Sequence, residues 1–224
     1  MARSAWHLAR EVKPLLLDSP ARARAEYEAE FARARDPWRF ETDPVAGRDR
    51  FARELAMLDA ARGPARFARA LEIGCAEGAF TELLEPRCES LLGVDVSPIA
   101  LGRARARRPW SPGVRFEEWD LGLDPMPARF DLIVAEGVLD CFCRPRRLRA
   151  ACEKIVAALQ PGGYLLAGNP RQSEVSETAW WGRWLIRGGK WIDVCLASHP
   201  ALRVAAAART GSYVDTLFQK ARHD

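Results

Sequence analysis

Lysine is nearly missing from this chain. Only Lys13, Lys154, Lys190 and Lys220 occur among 34 basic side chains in 224 residues. Arginine therefore carries almost all of the basic charge behind the net +4, and it is spread along the chain without a dense basic run. That spacing argues against the concentrated basic face of a nucleic-acid enzyme, so no nucleic-acid partner is expected. Long apolar runs are missing too: none approaches the roughly 20 residues that cross a bilayer. The opening "MARSAWHLAREVKPLLLDSP" lacks the continuous apolar stretch of a secretory leader. These two absences point to a cytoplasmic protein with no membrane partner. Six cysteines are present, at 75, 88, 141, 143, 152 and 195, but none forms a CxxC pair or completes a zinc spacing. Reduced thiols and no metal are expected, with "CFC" at 141–143 showing two thiols on one face of a strand. Histidine is confined to His7, His199 and His223, the first and last near the termini.

What is present is an alternation of strands and helices. Residues 21–35, "ARARAEYEAEFARAR", space Tyr27 and Phe31 four apart on an amphipathic helix. Pro37 and Pro44 bracket a loop carrying Trp38 and Phe40, and residues 45–62 give a second helix with Phe51, Leu55 and Leu58 on one face. From residue 68, "ARALEI", "SLLGVDV", "GVRFEEWDL", "RFDLIVAE" and "GGYLLAGN" read as five strands separated by helices, the pattern of a parallel sheet covered on both faces. Ser97 caps the helix opened by Pro98. "LRVAAAA" and "YVDTLFQKA", joined by "RTGS", read as an antiparallel hairpin.

"ALEIGCAEGAF", residues 70–80, falls where an open parallel sheet binds ligands, beyond the carboxyl end of its first strand. Gly74 and Gly78 allow a tight turn. Asp95 ends the second strand 21 residues after Gly74, placed to accept from a ribose diol. A dinucleotide fingerprint needs G-x-G-x-x-G, whereas here Ala76 and Ala79 replace its second and third glycines. Glu72 precedes the turn, and an acid there suits a cationic nucleoside better than a pyrophosphate.

"LEIGCAEG", "GVDVS", "EWDL", "FDLIVAEGVLD" and "LQPGGYLLAG", in that order, resemble the successive motifs of the class I S-adenosylmethionine (SAM) methyltransferases over about residues 45–220. The resemblance implies a doubly wound α/β fold. It would have a seven-stranded sheet of order 3-2-1-4-5-7-6, a terminal antiparallel hairpin and helices on both faces. It implies a methyltransferase domain over 45–224, preceded by a helical cap or lid over 1–44. It also implies SAM as cofactor, with S-adenosyl-L-homocysteine as product. Carried over position by position, Glu72 faces the amino-acid end of SAM, and Gly74, Cys75, Ala76 and Gly78 pack along the nucleoside. Asp95 and Val96 hold the ribose. Asp120 holds the adenine amino group between Trp119 and Leu121, and Trp38 closes as a lid. Ala76 departs from the glycine usual in the family.

Methyl transfer is an in-line displacement that needs alignment in a dry site, and needs a base only when the acceptor arrives protonated. Candidate acceptor-side groups are Glu136, which ends the fourth strand and also borders the cofactor, together with Asp140 and His199. Trp180, Trp181, Trp184 and Trp191 cluster in an insertion after the fifth strand, where the family often covers its acceptor. "DPWRFETD", "CESLLGVDVS" and "HPALR" together resemble the NodS-type N-methyltransferases, which methylate the amine of a glucosamine unit in nodulation oligosaccharides. A small-molecule acceptor with an amino-sugar amine is the leading expectation. O-methylation of a phenolic or polyketide, an RNA or protein acceptor, and non-catalytic SAM binding stay as alternatives. For residues 1–20 three uses remain open: exchange within a homodimer, a cover for the site, or disorder.

Overall fold

The computed structural model describes residues 20–43, 47–142, 144–170, 189–210 and 213–222. Seven strands form one sheet in the order β3-β2-β1-β4-β5-β7-β6, the order expected from the motifs. They are β1 Ala70–Ile73, β2 Leu91–Asp95, β3 Val114–Glu118, β4 Phe130–Glu136, β5 Leu159–Pro170, β6 Leu202–Thr210 and β7 Tyr213–Lys220. The first five pair in parallel, and β7 runs antiparallel to both β5 and β6. The described helices are α1 Pro20–Arg33, α2 Arg48–Arg62, α3 Ala79–Leu84, α4 Pro98–Ala106, α5 Pro145–Ala158 and α6 Gly189–Ala197. Helix α6 was not read from the sequence, and the tryptophans at 180, 181 and 184 lie outside the described residues.

Strand alternation builds two apolar layers from one set of strands. On β4, Leu132 and Val134 join a layer with Phe51, Leu55 and Leu58 of α2 and Phe80 of α3. Ile133 and Ala135 face the other way, into Leu148 and Ile155 of α5 and Ile192 and Leu196 of α6. A third small cluster seats α4 through Leu101 and Ala104 against Cys75 and Phe116.

Caps explain where the helices start and stop. Ser97 Oγ accepts the Ala100 amide at 3.1 Å ahead of Pro98, as expected from the sequence. Gly63 closes α2 at φ +70°, donating to the Asp59 carbonyl at 2.8 Å. "CFC" does not form a strand: Cys141 ends a one-turn 3-10 helix, Leu139–Cys141, and Cys143 lies outside the described residues. Helix α1 is fastened near the carboxyl ends of the strands. Tyr27 Oη lies 2.8 Å from Cys141 Sγ, Glu28 pairs with Ser97 Oγ, and Arg24 pairs with Glu118.

Candidate active site

The turn after β1 combines three residues in the left-handed region, Gly74 at φ +75°, Ala76 at +48° and Gly78 at +82°. At Gly74 a Cβ would strike the Val138 side chain. At Gly78 it would press on Ala104 and Trp110 at 3.4 Å. There the positive φ, more than any crowding, calls for glycine, and Gly78 does not line the cavity described next. The Cys75 thiol is buried against Leu101, Ala104 and Phe116, and burial pushes it well above its ordinary value. Ala76 keeps its strained φ because its amide donates to Asp95 Oδ2 at 2.9 Å.

The turn opens onto a cavity of about 340 Å³ at the carboxyl ends of β1, β2 and β4. Gly74, Ala76, Asp95, Val96, Trp119, Asp120, Leu121 and Glu136 all line it, and Trp38 stands on the opposite wall. Asp95 is 8% exposed and also takes the Ser97 amide on Oδ1 at 2.9 Å. Burial raises its carboxyl to about 6 despite these backbone donors. Asp120 Oδ1 accepts from the Gly122 amide at 2.7 Å, and its own amide donates to Asp124 Oδ2 at 2.8 Å. That turn fixes the loop, which Lys154 ties down by donating to the Leu121 and Asp124 carbonyls. Glu72 lies behind the turn, on a second pocket of about 30 Å³ that shares Gly74, Ala76 and Glu136 with the first. Its carboxyl accepts from Thr81 Oγ1 at 2.6 Å, and burial raises it to about 8.

The opposite wall comes from residues ahead of the sheet. Trp38 stacks on Phe31 at 5.2 Å, and Tyr27 tilts against Trp38 at 6.2 Å. Asp36 fixes this loop by accepting the Phe40 and Glu41 amides at 2.7 and 3.0 Å. Tyr27 and Phe31 were legible as an aromatic pair but not as cavity wall.

The acceptor-side expectations divide. Glu136 lines the cavity with its carboxylate held by Arg50, a residue the sequence reading missed. Asp140 is half-buried in the Leu139–Cys141 turn and does not line the cavity. His199 is corrected. It precedes β6, which runs parallel to β5, so it lies at the end of the sheet away from the cavity. There its Nδ1 accepts the Ala201 amide at 3.1 Å and its Nε2 meets Glu153 at 3.1 Å. Among the described residues, Glu54, Glu136 and Asp215 bring carboxylate oxygens within 4.8 Å of one another, but the Arg50 guanidinium sits between them.

The family model for nodulation protein S (NodS) matches residues 19–189. This chain belongs to the NodS family. Nodulation protein S of Rhizobium tropici is 38% identical over 140 residues, 62% of this chain and 57% of that protein. The protein of the same name from Bradyrhizobium diazoefficiens is 38% identical over 136 residues, covering 61% and 63%. The matched stretch thus spans about six tenths of these NodS relatives. A trans-aconitate 2-methyltransferase of Methylobacterium nodulans is 37% identical over 110 residues, 48% of this chain and 40% of that enzyme. Among solved structures, the N-methyltransferase NodS of Bradyrhizobium japonicum WM9, in complex with S-adenosyl-L-homocysteine, superposes with a TM-score of 0.74. It shares 30% identity, and the match covers 88% of this chain and 97% of that one. The fold expected from the sequence is thus that of a NodS-family methyltransferase.

Proposed function

We propose that the chain is a SAM-dependent N-methyltransferase whose acceptor is the amine of an amino sugar or amino-oligosaccharide. The observation that carries this reading is the cavity: an apolar space with carboxylates on the sheet side and stacked aromatics opposite. Its groups fit the cofactor. A carboxylate has about four acceptor positions, and Asp95 gives only part of them to backbone amides, those of Ala76 and Ser97 among them, so acceptor capacity is left for ribose hydroxyls. Trp119 and Leu121 offer flat apolar walls to a purine, with Asp120 at its edge. Glu72, neutral at pH 7 while buried alone, becomes favourable as a carboxylate once an ammonium group enters beside it.

When bound, SAM supplies an electrophilic methyl on a sulfonium. The chain's own residues align and dry the site. Gly74 and Ala76 bring the backbone close, and Trp38, Phe31 and Tyr27 exclude water and offer faces for a sugar ring. Glu136 accepts a hydrogen bond from the acceptor N–H and orients the nitrogen lone pair. The cap expected over 1–44 is carried by its described part, α1 and the Trp38 loop; residues 1–19 and 44 lie outside the described residues.

A second reading, transfer to a carboxylate oxygen, is favoured by Arg24, Arg144 and Arg147 along the same cavity. Labelled methyl transfer from SAM to amino sugars and chitooligosaccharides, to di- and tricarboxylates, and to phenols separates the readings. N-methylated amino sugar, located by mass spectrometry, is the expected product. Label on carboxylates alone would install the second reading.

A further inference from the structure

One lateral row of the sheet is built around a gap. Glu136 of β4 is in register with Gly168 of β5, which is in register with Asp215 of β7. Two carboxylates therefore flank a residue with no side chain. Arg50 of α2, 1% exposed, enters that gap. It pairs with Glu136, with Asp215 at 3.0 Å, and with Glu54 one helical turn along at 2.9 Å, and lies 4.3 Å from the centre of the Tyr213 ring. A Cβ at Gly168 would collide with Arg50 Nη2 and Glu136 Oε2. Burial pushes the Glu54 carboxyl well above its ordinary value, and Asp215 raises it further. The row thus sets three carboxyl groups, those of Glu54, Asp215 and Glu136, around one guanidinium.

A buried ion cluster of this kind is weak evidence for stability, because well-packed apolar residues often serve as well. Glu136 gives it another use, since it is the member that also borders the cavity. We propose that Arg50, seated in the Gly168 gap and anchored by Asp215 and Glu54, is a positioning residue that fixes the Glu136 carboxylate against the acceptor amine. The proposal rests on the N-methyltransferase reading above. Arg50 does not line the cavity; it acts through Glu136, and displacement of an aligned group by about 1 Å can cost roughly 100-fold in rate.

The test uses Gly168→Ala, which pushes the pair apart without removing a charge, and Arg50→Lys, which keeps the charge and loses the fork. Each is made alone and with Glu136→Gln, and melting temperature is measured for all. S-adenosyl-L-homocysteine affinity is expected within about threefold of wild type, while kcat falls by roughly 10- to 100-fold. Adding Glu136→Gln to either variant is expected to cost nothing more. Multiplying losses in the double variants would overturn the proposal, as would an unchanged kcat in a folded Gly168→Ala protein. Crystal structures of both variants give a readout free of turnover, with the Glu136 carboxylate displaced as the expected result. If wild-type protein methylates no amine, the parent reading fails, and an unmoved Glu136 in these crystals would overturn the role of Arg50 as well. Should Gly168→Ala not fold, Arg50→Lys carries both arms.

Discussion

At the scale of single residues, the site is held by strain and burial that the surrounding hydrogen bonds tolerate. Ala76 sits at φ +48°, where a Cβ costs roughly 1–2 kcal/mol, and its amide is pinned by Asp95. Ala76→Gly is expected to raise stability by about 0.5–1 kcal/mol after the entropy lost by glycine is set against the relief, as measured by urea unfolding. Glu72 gives a pH signature. Its folded carboxyl titrates near 8 against an ordinary 4.5, so the folded state keeps a proton that the unfolded chain releases. Stability from this group is complete below about 4.5 and is lost as pH rises to about 8, where the loss levels off. Glu72→Gln keeps an acceptor for Thr81 and removes the titration. Its melting temperature is expected to draw ahead of wild type steadily between those limits, and a constant offset would contradict the assignment. These identities were legible, since Glu72, Asp95 and Asp120 stand at or near the carboxyl ends of β1, β2 and β3. That Glu72 serves a separate small pocket was not, because depth behind a turn leaves no mark on spacing.

At the scale of elements, β4 does most of the placing. Leu132, Ile133, Val134 and Ala135 are all fully buried, two on each face, and Glu136 follows at the cavity. Leu132→Ala is expected to cost about 2–5 kcal/mol by calorimetry, as befits a side chain with no exposed surface. The Trp38 loop is the opposite kind of element. It is held from the surface side by contacts such as the Asp36 carboxylate, the Phe31 stack and the Arg107–Glu41 pair rather than by the sheet. Trp38→Ala is expected to weaken S-adenosyl-L-homocysteine binding by roughly three- to tenfold with little change in melting temperature, as checked by calorimetric titration. Helix α2 held a readable clue. Glu54 falls within the stripe of Phe51, Leu55 and Leu58, and Arg50 stands one turn before it, so the pair was placed to face inward. The spacing gave no hint of what would meet them, because Asp215 is 165 residues away from Arg50.

At the scale of the whole molecule, ligand binding and folding are one equilibrium. A ligand held only by the folded chain at 100 times its dissociation constant adds about 2.7 kcal/mol. S-adenosyl-L-homocysteine is therefore expected to raise the melting temperature of wild type, and Asp95→Ala to abolish that rise. A full shift in the variant would remove Asp95 from the cofactor site.

Taken alone, the sequence determined the fold and the glycine-turn side of the cavity. Those features are written in short-range patterns: apolar strands at regular intervals, acids at or near the ends of the first four strands, glycines at a tight turn. Tertiary structure alone decided the rest. It put Tyr27 and Phe31 on the far wall, sent His199 to the opposite end of the sheet, and laid Arg50 between Glu136 and Asp215. Each of these depends on which strands become neighbours and which way they run. Packing sets that over distances at which the local pattern carries no signal.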